Sequence, residues 1–260
     1  MDRLEPTFEE FLGDLRRTLG ENLADIVIHG SYALGDFRPG FGDLDYMVVT
    51  HVDLEERTNE RIFAMHDRYR SEKRMLLHQL EGTFFPARIA QQPGAAFVGC
   101  YIGTTRRGWR TITTLPSSFI DLAVARRYGR HLLEPPVPIY CPTADEILEE
   151  QKNDQRKLLA AMNPDSRPDF GLWISAIHWS ARTIYYLDAA EITSKGKACL
   201  RCRDNPGLHD YAELFRTAED RRYPYGDEPL ARRQIEGCRR LLEHIGQRLA
   251  REQVRGSEER

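Results

Sequence analysis

Three prolines crowd into Glu134-Pro135-Pro136-Val137-Pro138. No helix or central strand runs through such a segment, because proline fixes φ and offers no backbone donor. The chain changes character there. Before it, apolar or β-branched runs at Ala24–His29, Leu44–Thr50 and Leu80–Phe85 read as strands. They alternate with helix-prone stretches. The first of these opens on a capping box, Thr7 with Glu10, carries Phe8, Phe11, Leu12, Leu15 and Leu19 on one face and ends near Gly20. The second is charged and runs from Leu54 to about Leu77. Beyond the prolines only helical patterns follow, over about 144–162, 171–189, 207–219 and 228–253. Thr143 and Glu146 form another capping box, and Ile235, Cys238, Leu241, Leu242, Ile245 and Leu249 make an apolar stripe. The expected fold is an α/β (α+β) N-terminal domain with a mixed β-sheet, over 1–138, joined to a C-terminal all-α helical bundle over 139–260.

Composition narrows the partners. Apolar residues make up 41 % of the 260, enough for a sizeable core. With a net charge of −3 and its charged residues interspersed, the chain has no broad basic field for a polynucleotide backbone, so no nucleic acid partner is expected. No stretch approaches the roughly 18 apolar residues of a membrane span. The five cysteines are an odd number, which favours reduced thiols and a cytoplasmic location. Cys199 and Cys202 have CxxC spacing, half of a zinc site or a redox pair, but nothing supplies the other half. Arg106, Arg107 and Arg110 around Trp109 read as a solvated basic turn, and His29 as the end of the first strand. A monomer or weak dimer is expected.

The segment that carries chemistry is His29-Gly30-Ser31, then residues 32–42, then Asp43-Leu44-Asp45. Strand side chains alternate faces, so Asp43 and Asp45 point the same way. Two carboxylates so placed repel unless a cation lies between them, and a divalent ion such as Mg²⁺ resolves the conflict. Gly30 and Ser31 supply the complement: backbone N–H groups and a hydroxyl that approach phosphate oxygens with no Cβ in the way. Together they describe a magnesium nucleotide site built for nucleotidyl transfer. A third carboxylate is expected on a neighbouring strand, to remove a proton or complete the metal shell. Glu81 is the best candidate, because it opens an apolar strand where a charge is destabilising without a partner or a task.

These residues resemble the DNA polymerase β-like nucleotidyltransferase superfamily. The longer run His29-Gly30-Ser31-Tyr32-Ala33-Leu34-Gly35-Asp36-Phe37-Arg38-Pro39, followed by Gly42-Asp43-Leu44-Asp45, is similar to the aminoglycoside adenylyltransferases that modify streptomycin and spectinomycin. Leu80-Glu81-Gly82-Thr83 resembles that family's strand bearing the catalytic base. Ala181–Tyr186 with Glu191–Lys195 resembles the part of its helical domain that reaches the nucleotide phosphates. The resemblance implies Asp43 and Asp45 as magnesium ligands, Ser31 beside Gly30 at the phosphates, Glu81 as general base and Lys195 on the triphosphate. It also implies a nucleotide-contacting tyrosine, Tyr223 or Tyr225. Lys195 is read in a turn between helices. The C-terminal domain is expected to contribute to nucleotide and acceptor binding.

The expected reaction transfers AMP from ATP to a hydroxyl of a small, cationic acceptor, an aminoglycoside or aminocyclitol antibiotic, with release of pyrophosphate. Two alternatives stand beside it: transfer to a protein or another metabolite, and a nucleotide-binding regulatory module without turnover. Gly171–Ala176 occupies the region where the family contacts streptomycin through acidic and histidine side chains. Asp165, Asp169, Trp173 and Trp109 are candidates to line a cationic acceptor site instead, with plain core as the alternative for the tryptophans.

Overall fold

A computed structural model describes residues 6–37, 43–71, 80–103, 110–115, 118–163, 165, 168–220 and 230–258. The chain divides into two compact units, Met1–Cys141 and Pro142–Arg260.

The first unit is built on a mixed six-stranded sheet in the order β5-β4-β3-β2-β1-β6. Its strands are β1 (Leu23–Ile28), β2 (Leu44–Thr50), β3 (Leu80–Pro86), β4 (Gly99–Ile102), β5 (Arg110–Ile112) and β6 (Arg130–His131). Helices α1 (Pro6–Leu19), α2 (Gly30–Ala33), α3 (Glu56–Ser71), α4 (Ala87–Gln91) and α5 (Phe119–Tyr128) surround it. Every pairing is antiparallel except β2 with β3. Parallel neighbours cannot be joined by a tight turn, and the crossover between these two contains α3.

Alternation along the strands feeds two cores. Ile26, Ile28, Tyr46, Val48 and Phe84 pack with Phe8, Phe11 and Leu15 of α1 and with Ile62 and Tyr69 of α3. Val27, Met47, Val49 and Phe85 point the other way, onto Ile89 of α4 and Leu122 and Ala125 of α5. Burial on both faces explains why the central strands read as nearly continuous apolar runs. Gly82 has a packing reason: a Cβ there would fall 2.1 Å from the Tyr46 ring, which lies across β3. The Tyr46 hydroxyl is 2.7 Å from His66 Nε2, and burial holds that imidazole down to about 3, so the ring stays neutral and can accept.

The proline-rich exit from the sheet is tied down by a fully buried carboxylate. Asp25 Oδ2 accepts from His131 Nδ1 at 2.5 Å and from the Val137 amide at 3.0 Å, while Oδ1 accepts from the Ile26 amide at 2.7 Å. These bonds satisfy a charge that burial alone would strongly disfavour.

The second unit is all-helical among its described residues: α6 (Ala144–Ala161), α7 (Phe170–Ala189), α8 (Lys195–Arg203), α9 (Ala212–Asp220) and α10 (Arg232–Glu258), with a 3₁₀ segment at Pro206–Tyr211. The Thr143 and Glu146 capping box forms as the sequence predicts, with both reciprocal bonds made. Thr7, the first residue of the other predicted box, has its side chain outside the described residues. Helix α8 replaces the turn expected around Lys195: Ser194 is its N-cap, accepting from the Lys197 amide at 3.3 Å. Thr193-Ser194 is a helix-start signal as much as a turn signal, and the helix is short, with a glycine at its second position.

Trp173 lies in the core of this unit at 1 % exposure, its Nε1 donating to the Gln234 carbonyl at 3.0 Å. Asp169 is the N-cap of α7, accepting from the Leu172 amide at 2.7 Å. Both therefore have structural roles, whereas Trp109 lies outside the described residues. Cys199, Cys202 and Cys238 are free thiols buried in the same core. Burial pushes Cys202 and Cys238 each up to about 12, so both stay protonated near neutrality, unlike a zinc-bound or redox-active thiolate. Among the described residues, no helix is long and apolar enough to cross a membrane.

Candidate active site

The parallel β2–β3 pair brings the acidic residues together. Asp45 and Glu81 are direct partners in its register. Their side chains therefore leave the sheet on the same face, one strand spacing apart, or roughly 4.8 Å. That face is the one turned to α5. Both carboxylates line a pocket of about 210 Å³, together with Thr83, Tyr101, Arg110, His29 and Asp121. Asp43 immediately precedes β2, and its charge, like that of Glu81, acts on the Tyr101 phenol.

Gly30 follows β1 at φ +61°, a backbone region that side chains strongly disfavour. A Cβ there would fall 1.8 Å from Asp45 Oδ2, so the carboxylate occupies the space that the glycine leaves. The His29 amide donates to the Asp45 carbonyl at 3.0 Å and fixes the strand end beside the turn. Ser31 stands in the first turn of α2, half-buried. The turn and the Asp45 strand are thus locked against each other.

Tyr101 lies on β4 opposite Thr83, on the pocket side of the sheet. Its hydroxyl donates to Glu81 Oε1 at 2.6 Å, and the Arg110 guanidinium stands over its ring, 5.5 Å from the centroid. Burial, then the hydrogen bond and charge of Glu81, hold this phenol well above its ordinary value, against the opposing pull of Arg110. His29 is buried at 8 % exposure, and its Nδ1 has no hydrogen-bond partner among the described residues. Burial lowers its pKa, and the Asp121 carboxylate pushes the other way.

Tyr101, Asp121 and the pocket position of Arg110 were not legible as site features in the sequence. Arg110 opens β5 and lines the pocket, rather than decorating a surface turn. The one available signal was the short apolar run Val98-Gly99-Cys100-Tyr101-Ile102, which reads as a strand when taken with its neighbours.

Lys195 belongs to the second unit. It is exposed in the first turn of α8, where Lys197 follows and no acidic residue intervenes. Helix N–H groups and ammonium groups add there to make a locally positive, anion-attracting end. Tyr223 and Tyr225 lie outside the described residues.

Among the described residues, no group of three His, Cys, Asp or Glu side chains stands ready to hold a metal. Mg²⁺ does not require one, since it is commonly held by one or two carboxylates with substrate phosphates and water completing the octahedron. The Asp43 and Asp45 pair fits that pattern, with Asp45 set into the space at Gly30.

Residues 8–81 match the family model described as a nucleotidyltransferase domain. The matched segment takes in most of α1, the Gly30-Ser31 turn, the aspartate pair and Glu81. The whole chain shares the fold of the spectinomycin adenyltransferase AAD(9) from Enterococcus faecialis, solved with ATP and spectinomycin, at a TM-score of 0.67. The two are 15 % identical, and the likeness covers 94 % of this chain and 98 % of that one. No curated protein matches the sequence.

Proposed function

We propose that this chain is a magnesium-dependent adenylyltransferase that moves AMP from ATP to a hydroxyl of a small cationic acceptor of the aminoglycoside or aminocyclitol kind, releasing pyrophosphate. The observation that carries the reading is the registered Asp45–Glu81 pair, facing one pocket beside the Gly30-Ser31 turn. The fold shared with an adenyltransferase solved with ATP and spectinomycin supports the choice of nucleotide and acceptor class. An acidic pocket also suits a cation, because carboxylates concentrate positive charge near them.

In this reading Asp43 and Asp45 would hold Mg²⁺, which when bound neutralises negative charge on the phosphates as the bond to pyrophosphate breaks. Gly30 and Ser31 contact the phosphates and Lys195 neutralises the triphosphate. Glu81 takes the proton of the acceptor hydroxyl as that oxygen attacks the α-phosphorus in line. The proton ends on the carboxylate and the electron pair of the broken bond leaves with pyrophosphate. The cytoplasm, where ATP and reduced thiols occur together, is the compartment this reading implies.

The test is mass spectrometry of spectinomycin, streptomycin and related aminocyclitols after incubation with the protein, ATP and Mg²⁺. One acceptor should gain a nucleoside monophosphate, and EDTA should suppress the gain. No adduct on any of these, with adduct on a protein or an uncharged metabolite, would overturn the acceptor assignment. Replacing Lys195 with alanine should raise the KM for ATP by about 10-fold, the equivalent of one charge-assisted hydrogen bond of roughly 1.5 kcal/mol. Steady-state kinetics over a range of ATP concentrations checks this, and an unchanged KM would return Lys195 to the surface.

A further inference from the structure

We propose that Tyr101 is a positioning residue for the transfer reaction: its hydroxyl anchors Glu81 Oε1 and so orients the carboxylate that receives the acceptor proton. The inference rests on Glu81 acting as the base.

The geometry comes from an element outside the matched segment, since β4 follows residue 81. Partnered with Thr83 in the antiparallel β3–β4 register, Tyr101 stands on the site face, one diagonal step from Glu81. Its hydroxyl reaches Glu81 Oε1 at 2.6 Å, a short bond of the kind made to a charged acceptor. The ring is held in turn. Strands β3 and β5 flank its backbone, and the Arg110 guanidinium covers one face.

Glu81 needs such a hold. Its side chain has three rotatable bonds, and the lateral neighbour Asp45 carries the same charge, so repulsion would swing the carboxylate away from the place where a proton must be taken. A neutral phenol donor opposes that swing without adding a charge to compete for the acceptor. Tyr101 touches neither nucleotide nor acceptor in this assignment and acts only through Glu81.

The experiment is Tyr101→Phe, which removes one oxygen and keeps the ring under Arg110. With MgATP and spectinomycin, or with water as acceptor and AMP release as the readout, kcat should fall roughly 10-fold, as expected for a misoriented base, while the KM for ATP stays unchanged. In a Glu81→Gln background the same substitution should cause no further loss. A crystal structure of Tyr101→Phe should show the Glu81 carboxylate displaced from its position in the parent crystal. Full kcat in Tyr101→Phe, an equal fractional loss in the Glu81→Gln background, or an unmoved Glu81 would each overturn the proposal. An inactive Glu81→Gln beside a fully active Tyr101→Phe rejects the role of Tyr101 and keeps the base. An active Glu81→Gln rejects both.

Discussion

Replacing Glu81 with glutamine is expected to slow AMP transfer by roughly 10²- to 10⁴-fold and to leave the KM for ATP nearly unchanged. Glutamine has the same length, and its carbonyl oxygen can still accept from the Tyr101 hydroxyl that now bonds Oε1. Packing around β3 therefore survives, and only the ability to receive a proton is lost. Pyrophosphate release in single-turnover experiments isolates that step from binding. Damage shared equally between ATP affinity and turnover would instead make Glu81 a ligand of the cation. That outcome would move the base elsewhere in the pocket, where Asp121 is the remaining carboxylate among the residues that line it.

The second large effect is expected at Gly30. Alanine there must adopt φ +61° and place its methyl group 1.8 Å from Asp45 Oδ2 and 2.9 Å from Asp45 Cβ. The first demand costs about 1–2 kcal/mol, a modest part of a domain's stability. The second cannot be met without moving the Asp45 side chain, or the turn, by more than an ångström. Displacements of that size cost on the order of 10²-fold in rate. Gly30→Ala should thus remain folded, with a thermal midpoint a few degrees lower, and lose nearly all transfer activity. A variant of near-normal activity would show that Asp45 need not sit where the glycine admits it.

What was legible in the sequence and what was not follows from range. The Gly30-Ser31 turn and the Asp43/Asp45 pair lie close together in the chain, and glycine spacing and strand alternation are local rules, so both could be read. Glu81 was readable because a charge stands out at the start of an apolar strand. Its partnership with Asp45 needed a parallel register that no local rule sets.

Tyr101, Arg110 and Asp121 arrive on β4, β5 and α5, and the two strands are too short for periodicity to declare them. Helix α8 was hidden in the same way, between Ser194 and a brief run containing Gly196. Trp173 carries two readings in the sequence, a cation site near acidic residues and plain core, and the packing of α7 selects core, with the Gln234 carbonyl taking its one polar hydrogen.

The parallel pairing has a kinetic corollary. Strands β1 and β2 can zip early as near neighbours, but β2 meets β3 only after the chain through α3 has looped back. Until that closure, the turn and the aspartates exist without their opposing glutamate. A misalignment of a single residue at that late stage would bury Glu81 against the α1 and α3 helices and swing Gly82 outward. Recovery of catalysis during refolding should therefore lag behind the return of helical signal, and report on when β3 finds its alignment beside β2.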